Sequence, residues 1–180
     1  MSAHIARVHV QPVTPALVDG VRGLQIAPAQ AGYVGDPTFN LANAQHDPLS
    51  EAMAVLADDD VIGFYRLDFA PNAIVGRPFD APSVGVRAFL IDARQQGRGY
   101  GTRAARAMCD DLRRRHPQRK LLVLAVHCCN HAGVATYRNA GFVATGELLG
   151  GGRAGPQHVM LRSLADAIAI TPAPTGRMGQ

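Results

Sequence analysis

The sequence contains no tryptophan, and aromatic residues make up only 6% of its 180 residues. Proteins that hold single-stranded nucleic acid stack its bases on aromatic side chains, so this composition argues against that class of partner. Much of the net charge of +4 comes from one cluster of basic residues between Arg113 and Lys120. Such a cluster suits an anionic small molecule as well as it suits RNA, and we expect no nucleic-acid partner.

Long apolar runs are also missing. No segment approaches the roughly 18 consecutive apolar residues of a membrane span, and residues 1–10 lack the basic stretch and apolar run of a signal peptide. We therefore expect a cytoplasmic protein without a membrane partner. A hydrophobic content of 47% is enough to fill one core. We expect a single domain at residues 1–169 and a mobile tail, without periodicity, at residues 170–180.

Only three cysteines are present, which favours a reducing compartment over a disulfide framework. The group His127, Cys128, Cys129 and His131 looks like a metal site. Adjacent cysteines rarely direct both sulfurs to one ion, however, and no second pair with Cys-x-x-Cys spacing exists. We expect no metal.

Hydropathy periodicity predicts an alternation of strands and helices without an internal repeat. Strands are predicted at residues 6–11, 51–57, 61–69, 83–92, 120–127, 142–149 and 158–164. Helices are predicted from a Thr14 cap through Leu24, at residues 39–44, from the glycines near residue 100 towards Pro117, and in a short segment that ends at Gly141.

The stretch "RQQGRGYGTR" places Gly97, Gly99 and Gly101 between a predicted strand and a predicted helix. Each glycine costs a helix roughly 1 kcal/mol relative to alanine, so three of them favour a ligand at the backbone. Free amides and the helix dipole make such a turn an anion site. A dinucleotide fold would place the glycines after its first strand, and a Walker loop needs Gly-Lys-Ser/Thr. Neither pattern fits this chain.

The run from Gln96 to Gly101 matches the pattern Gln/Arg-x-x-Gly-x-Gly/Ala, and Asn130 precedes Tyr137 by seven residues before Gly141 and Phe142. Seven helical steps return to within about 20° of the start, so Asn130 and Tyr137 share a helix face. In both features the sequence resembles the GCN5-related N-acetyltransferase (GNAT) family. The resemblance covers roughly residues 6–165, and within the family it is nearest in appearance to bacterial diamine, spermine and spermidine acetyltransferases.

The resemblance implies an α/β (α+β) GNAT fold, with a central mixed, mostly antiparallel sheet of six to seven strands flanked by about four helices. It also implies acetyl-CoA as cosubstrate, bound through Phe89, Leu90, Ile91, Gln96, Gly97, Arg98, Gly99, Tyr100, Gly101, Thr102 and Asn130. The first three residues would border the pantetheine arm and the glycine turn the pyrophosphate. Either Arg98 or Arg103 could add positive charge there.

The implied reaction is direct attack of a neutral amine on the thioester, with Tyr137 as the catalytic acid. With ordinary pKa values near 10 for tyrosine and 8.5 for a thiol, proton transfer to the thiolate is uphill by about 2 kcal/mol. Tyr137 therefore either protonates the thiolate or only donates a hydrogen bond to it. For the general base, Glu51 and Glu147 are candidates, and the sequence singles out neither.

The acceptor is expected to be a polyamine or another small primary amine, and peptide N-termini, protein lysines and antibiotic amines remain open. Carboxylates for a polycation are available at Asp36, Asp47, Glu51, Asp58 and Glu147. An alternative is a non-catalytic acyl-CoA-binding sensor on the same fold. Exposed strands at the sheet edges also make a homodimer plausible.

Overall fold

The computed structural model describes residues 5–150 and 155–165. The predicted tail at residues 170–180 lies outside the described residues. In the described part the strands are β1 (Val8–Pro12), β2 (Ser50–Ala57), β3 (Asp60–Asp68), β4 (Ser83–Ile91), β5 (Leu121–His127), β6 (Val143–Leu149) and β7 (Gln157–Ser163). Each corresponds to a predicted strand, with ends shifted by one or two residues.

These strands form one sheet in the order β1-β2-β3-β4-β5-β7-β6. Only the β4–β5 pair is parallel, and every other pair of neighbours is antiparallel. The sheet is thus mixed and mostly antiparallel, as the resemblance implied. Its edges are β1 and β6, and β6 exposes Val143 and Leu148 to solvent. The homodimer stays a prediction.

Within the described ranges, four α-helices pack on the sheet: α1 (Val18–Arg22), α2 (Pro37–His46), α3 (Tyr100–Arg115) and α4 (His131–Asn139). The α3/α4 core packs residues of these two helices, such as Met108 and Val134, against one face of the sheet. The α1/α2 core packs Val21 and Leu41 against the other face. Because both faces are covered, β2 reads as a nearly continuous apolar run rather than an alternating one.

Two helix starts differ from the sequence pattern. Thr14 makes no side-chain capping bond, and a 3-10 turn at Pro15–Leu17 precedes the short helix α1. By contrast, α2 is longer than predicted because the Asp36 carboxylate accepts a hydrogen bond from the amide of Phe39, at 2.9 Å. A side-chain cap supplies an acceptor for an amide in the first helical turn. Asp36 provides such a cap for α2, and Thr14 provides none for the segment that leads into α1.

The strand β4 separates from β5 partway along its length. The parallel ladder joins Ser83–Val86 to Leu121–Leu124 and ends there. Beyond that point β4 pairs only with β3, and β5 pairs only with β7. The two strands therefore diverge and open a gap in the middle of the sheet.

A bulge in β4 lies at the start of this gap. Ala88 has a φ of 55°, and the β3–β4 register shifts between Phe64 and Arg66. As a result the alternation of side chains slips by one residue: Ala88 packs on the α1/α2 core, and Phe89 packs on the α3/α4 core with Val86. Among the described residues, none of the helices is long and apolar enough to cross a membrane.

Candidate active site

The glycine turn between β4 and α3 needs its glycines for two different reasons. Gly97 and Gly99 have φ angles of 75° and 73°, and a Cβ atom on either would meet no atom within 4 Å. Their requirement is therefore conformational, since a left-handed backbone strains any residue with a side chain. A Cβ atom on Gly101 would lie 3.2 Å from Thr136 Cγ2, so this third glycine lets α3 approach α4 closely.

The backbone amides of this turn face outward without partners. Within the described part of the chain, no group accepts a hydrogen bond from the amides of residues 96–102. The amide of Arg103 is the first to bond inside the helix, to the Gly99 carbonyl at 3.2 Å. A row of free amides at the positive end of the α3 dipole is an anion-binding arrangement.

Asp92 anchors the turn to the loop that follows α1. Its carboxylate accepts hydrogen bonds from the Gln25 amide at 3.1 Å and the Arg94 amide at 2.8 Å, and it pairs with the Arg94 guanidinium at 2.7 Å. The Arg94 guanidinium is the main reason why the pKa of Asp92 falls to about 2. Asp92 is therefore ionised although it is only 1% exposed, and it joins the turn to the loop after α1.

The Gln96 side chain closes the same turn. Its Nε2 donates hydrogen bonds to the Ile91 carbonyl at 2.9 Å and to Gln30 Oε1 at 2.8 Å. The two arginines suggested for phosphate charge make no such bond within the turn. Arg103 donates a hydrogen bond to the Ala6 carbonyl, and Arg98 is exposed to solvent.

The turn opens onto a cavity of about 260 Å³, which we call the coenzyme cavity. It is lined by all the residues that the sequence proposed for acetyl-CoA except Arg98, namely Phe89, Leu90, Ile91, Gln96, Gly97, Gly99, Tyr100, Gly101, Thr102 and Asn130. Gln30 and Val34 also line this cavity, from the loop between α1 and α2, and no motif in the sequence pointed to them.

A second cavity, of about 240 Å³, occupies the gap between the diverging strands and is here called the acceptor cavity. Its walls are residues 86–89 of β4 and residues 124–127 of β5. The remaining lining residues are Tyr33, Val34, Ile74, Asn130, Tyr137, Leu149 and Gln157. Four residues line both cavities: Val34, Phe89, Asn130 and Tyr137. The two cavities therefore meet at this shared wall.

Tyr137 lies at the centre of the shared wall. Its ring contacts those of Phe89 and Phe142, with centroids 5.8 Å and 5.5 Å away, and it is 8% exposed. Burial raises the pKa of the Tyr137 hydroxyl well above its ordinary value, so the group stays protonated. Asn130 Oδ1 accepts a hydrogen bond from the Gly133 amide at 3.0 Å and so caps α4, which fixes the helix that carries Tyr137.

The two carboxylates considered as bases lie elsewhere. Glu147 pairs with Arg77 at 2.6 Å, and Glu51 pairs with Arg115 at 2.6 Å at the start of β2. Neither lines either cavity. Each of the two carboxylates thus forms an ion pair away from the lining of both cavities.

The sequence missed His127 as a member of the site. His127 ends β5 and lines the acceptor cavity together with Tyr137. Its ring lies 5.1 Å from that of Tyr33, and its Nδ1 is buried with no hydrogen-bond partner among the described residues. The apparent metal cluster around it does not form, since no three metal-ligating side chains of the described ranges come together.

Comparison with known proteins identifies the family and the fold. The family model of the acetyltransferase (GNAT) family matches residues 21–142. None of the curated proteins matches the chain.

Several solved structures share the fold. One is AAC(6')-Ib in complex with paromomycin and acetyl-CoA, with a TM-score of 0.70, 18% identity, and coverage of 87% of this chain and 93% of that one. Another is the spermidine N-acetyltransferase from Vibrio cholerae in complex with CoA and spermine, with a TM-score of 0.64, 17% identity, and coverage of 87% and 95%. A third is the aminoglycoside N(6')-acetyltransferase from Legionella pneumophila, with a TM-score of 0.65, 14% identity, and coverage of 88% and 93%.

Proposed function

The chain belongs to the acetyltransferase (GNAT) family, and we propose that it transfers an acetyl group from acetyl-CoA to a primary amine. One observation carries the proposal: a cavity lined by free backbone amides meets a second cavity at a buried tyrosine. A transferase for two substrates needs such a meeting point, where one substrate holds the acetyl group and the other attacks it.

In this proposal the coenzyme cavity holds acetyl-CoA, which supplies the thioester. The amides of residues 96–102 would bind its pyrophosphate, since they have no other acceptor in the described part of the chain. Residues 89–91 would border the pantetheine arm, in the part of β4 that no longer pairs with β5. Gln96 and Asp92 hold the turn in place before the ligand arrives, which lowers the entropic cost of binding.

Tyr137 donates a hydrogen bond to the departing sulfur. With its pKa raised by burial, transfer of its proton to a thiolate of ordinary pKa is more unfavourable than the roughly 2 kcal/mol of an unperturbed pair. The hydroxyl therefore stabilises the developing negative charge as a neutral donor, and solvent returns the proton to the sulfur. Of the two roles that the sequence left open for Tyr137, the burial favours the second.

His127 accepts the proton that the amine must lose. An amine with an ordinary pKa near 10 is mostly protonated at pH 7 and cannot attack until a base takes its proton. Imidazole is the side chain best suited to that transfer near neutral pH. His127 lines the cavity where the acceptor would lie. Unlike Glu51 and Glu147, it forms no ion pair with another described residue.

The nature of the acceptor is constrained by where the other acidic residues lie. Of the carboxylates available for a polycation, Asp36 caps α2, Asp47 accepts bonds from Leu49 and Ser50, and Asp58 accepts one from the Arg7 amide. Like the two paired glutamates, these three line neither cavity. We therefore propose a small primary amine as acceptor and place no weight on a polyamine.

Thermal unfolding with and without acetyl-CoA tests this function. At a ligand concentration a hundred times the Kd, linkage predicts about 2.7 kcal/mol of stabilisation, or a Tm rise of roughly 5–10 °C. NAD and ATP are the controls, and neither should raise the Tm comparably. No rise with saturating acetyl-CoA would overturn the proposal.

A coupled assay separates the enzyme from a non-catalytic sensor. Release of free thiol from acetyl-CoA is followed with a panel of small amines. A Tm rise together with amine-dependent thiol release is the expected result. A Tm rise without thiol release for any amine would instead support the acyl-CoA sensor.

A further inference from the structure

We propose that the acceptor is a small amine that also carries a carboxylate, as an amino acid does, and that Arg87 binds that carboxylate. This inference rests on the proposed function, because it concerns the second substrate of the same site. It follows from the charge and the geometry of the acceptor cavity.

The charge of the acceptor cavity does not suit a polycation. The chain has 14 acidic residues, and all of them except Asp166 belong to the described ranges. None of these described acidic residues lines the cavity. Among the described lining residues, Arg87 is the one with a permanent charge, and that charge is positive; its ion-pair partner, Asp68, does not line the cavity. Each additional ammonium group of a polyamine would lose water there without gaining a counter-charge, which is costly.

Arg87 is placed to bind an anion. The bulge at Ala88 follows it directly in β4, at the start of the gap. Asp68 Oδ2 accepts a hydrogen bond from Arg87 Nε at 2.8 Å, and the arginine side chain is 40% exposed. This contact orients the planar guanidinium and leaves both Nη atoms without a partner in the described ranges. Two parallel N–H groups of a guanidinium match the two oxygens of a carboxylate.

The charge of the cavity also separates this chain from two of the structurally similar proteins. Paromomycin and spermine, which are bound in those structures, are polycations. The described lining of the acceptor cavity holds no carboxylate, so it supplies none of the counter-charges that such molecules require.

Matched pairs of amines that differ by one carboxylate test the inference in the unmodified protein. The pairs are L-lysine with 1,5-diaminopentane and L-phenylalanine with 2-phenylethylamine, and spermidine serves as the polycation. We expect kcat/KM to be at least about tenfold higher for the carboxylated member of at least one pair, and lowest for spermidine. Equal or higher kcat/KM for the diamine, the phenylethylamine and spermidine would overturn the inference.

A variant assigns the preference to Arg87. In Arg87→Gln the ratio of kcat/KM within the preferred pair should fall towards one, mainly through a higher KM for the carboxylated amine. In Arg77→Gln, which removes an arginine outside the cavity, the ratio should not change. The ratio is internal to each variant, so a loss of stability does not imitate the effect. An unchanged ratio in Arg87→Gln would refute the role of this residue.

The same data distinguish this inference from the proposed function. If none of the amines releases thiol from acetyl-CoA, the acetyltransferase proposal fails and the inference fails with it. If amines are acetylated without regard to their carboxylate, the acetyltransferase proposal stands and only the inference is refuted.

Discussion

The coenzyme cavity and the acceptor cavity share a wall but are built in opposite ways. Most of the coenzyme cavity comes from one continuous stretch, residues 89–102, and its proposed binding groups are backbone amides. The acceptor cavity is assembled from separate stretches between Tyr33 and Gln157, and its proposed binding groups are side chains. Backbone amides are present whatever the side chains are, so the first site tolerates change at most positions. A single substitution at Arg87 or His127 changes the second.

This contrast predicts that damage to one cavity leaves the other intact. Variants of the acceptor cavity should alter kcat and the acceptor KM while acetyl-CoA still raises the Tm. Variants of the coenzyme turn should lower stability and coenzyme affinity together. A variant that removes only the Tyr137 hydroxyl from the shared wall should alter catalysis without altering coenzyme binding.

The largest expected effect is that of His127→Gln on the acceptor side. Loss of a general base typically costs about 10² to 10⁴ in rate, so kcat/KM for an ordinary amine should fall at least about 100-fold. The Tm rise with acetyl-CoA should persist, because His127 does not line the coenzyme cavity. The exposed His131 at the start of α4 provides the matched control, His131→Gln.

A chemical comparison distinguishes a base from a residue that only shapes the cavity. Ethylamine is protonated at pH 7, whereas 2,2,2-trifluoroethylamine is mostly neutral and needs no base. The loss in His127→Gln should therefore be much smaller for the fluorinated amine. An equal loss for both amines would show that His127 does not remove the proton. The other titratable side chains lining the cavity, Tyr33, Arg87 and Tyr137, are unchanged in this comparison.

On the coenzyme side, Asp92→Asn should lower the free energy of unfolding by about 2 kcal/mol near neutral pH. The pKa of Asp92 is depressed to about 2, so its stabilisation is present above pH 4 and is lost as the pH falls towards 2. Urea unfolding at pH 7, 5, 4 and 3 measures the difference between variant and parent. That difference should be constant down to about pH 5 and roughly halved at pH 3.

Asp59→Asn, in the exposed turn between β2 and β3, is the control for this series. It should leave the unfolding free energy within about 0.5 kcal/mol of the parent. If the Asp92→Asn difference did not shrink with falling pH, the ionised carboxylate would not be what holds the turn.

At the shared wall, Tyr137→Phe should lower kcat tenfold or more, which corresponds to at least about 1.4 kcal/mol, with coenzyme binding unchanged. The phenyl ring keeps the contacts with Phe89 and Phe142, and only the donor is lost. Tyr65→Phe is a matched control, since Tyr65 is fully buried and lines neither cavity. Unchanged kcat in Tyr137→Phe would remove the tyrosine from the reaction without removing the enzyme.

Much of the fold could be predicted because its signals are local. Apolar runs marked the strands, Pro117 follows closely on the end of α3, and Gly141, with a φ of 91°, follows α4 as a left-handed residue. The error at Thr14 has a local cause of another kind. A threonine before a proline is compatible with a cap, but whether its hydroxyl reaches an amide depends on how the segment packs on β3.

The coenzyme turn was also predictable from the sequence. For one of its three glycines, however, the sequence pattern explained only part of the requirement. The pattern explains Gly97 and Gly99, whose backbone angles belong to the turn itself. Gly101 is required by Thr136, a contact between residues 35 positions apart that the pattern of the turn does not contain. Arg103 was considered for phosphate binding, but its guanidinium donates a hydrogen bond to the Ala6 carbonyl, in the segment before β1.

The sequence by itself determined the order of the elements, the anion-binding turn and the pairing of Asn130 with Tyr137, because each depends on residues close together in the chain. Only the tertiary structure decided the acceptor cavity. The bulge at Ala88 carries no glycine to mark it, and it sends Phe89 to the face where Tyr137 lies. Arg87 and His127 belong to neighbouring strands 40 residues apart in sequence, and they line one cavity because the β4–β5 ladder stops at Val86. Strand separation results from the packing of the whole sheet, and no short stretch of sequence encodes it.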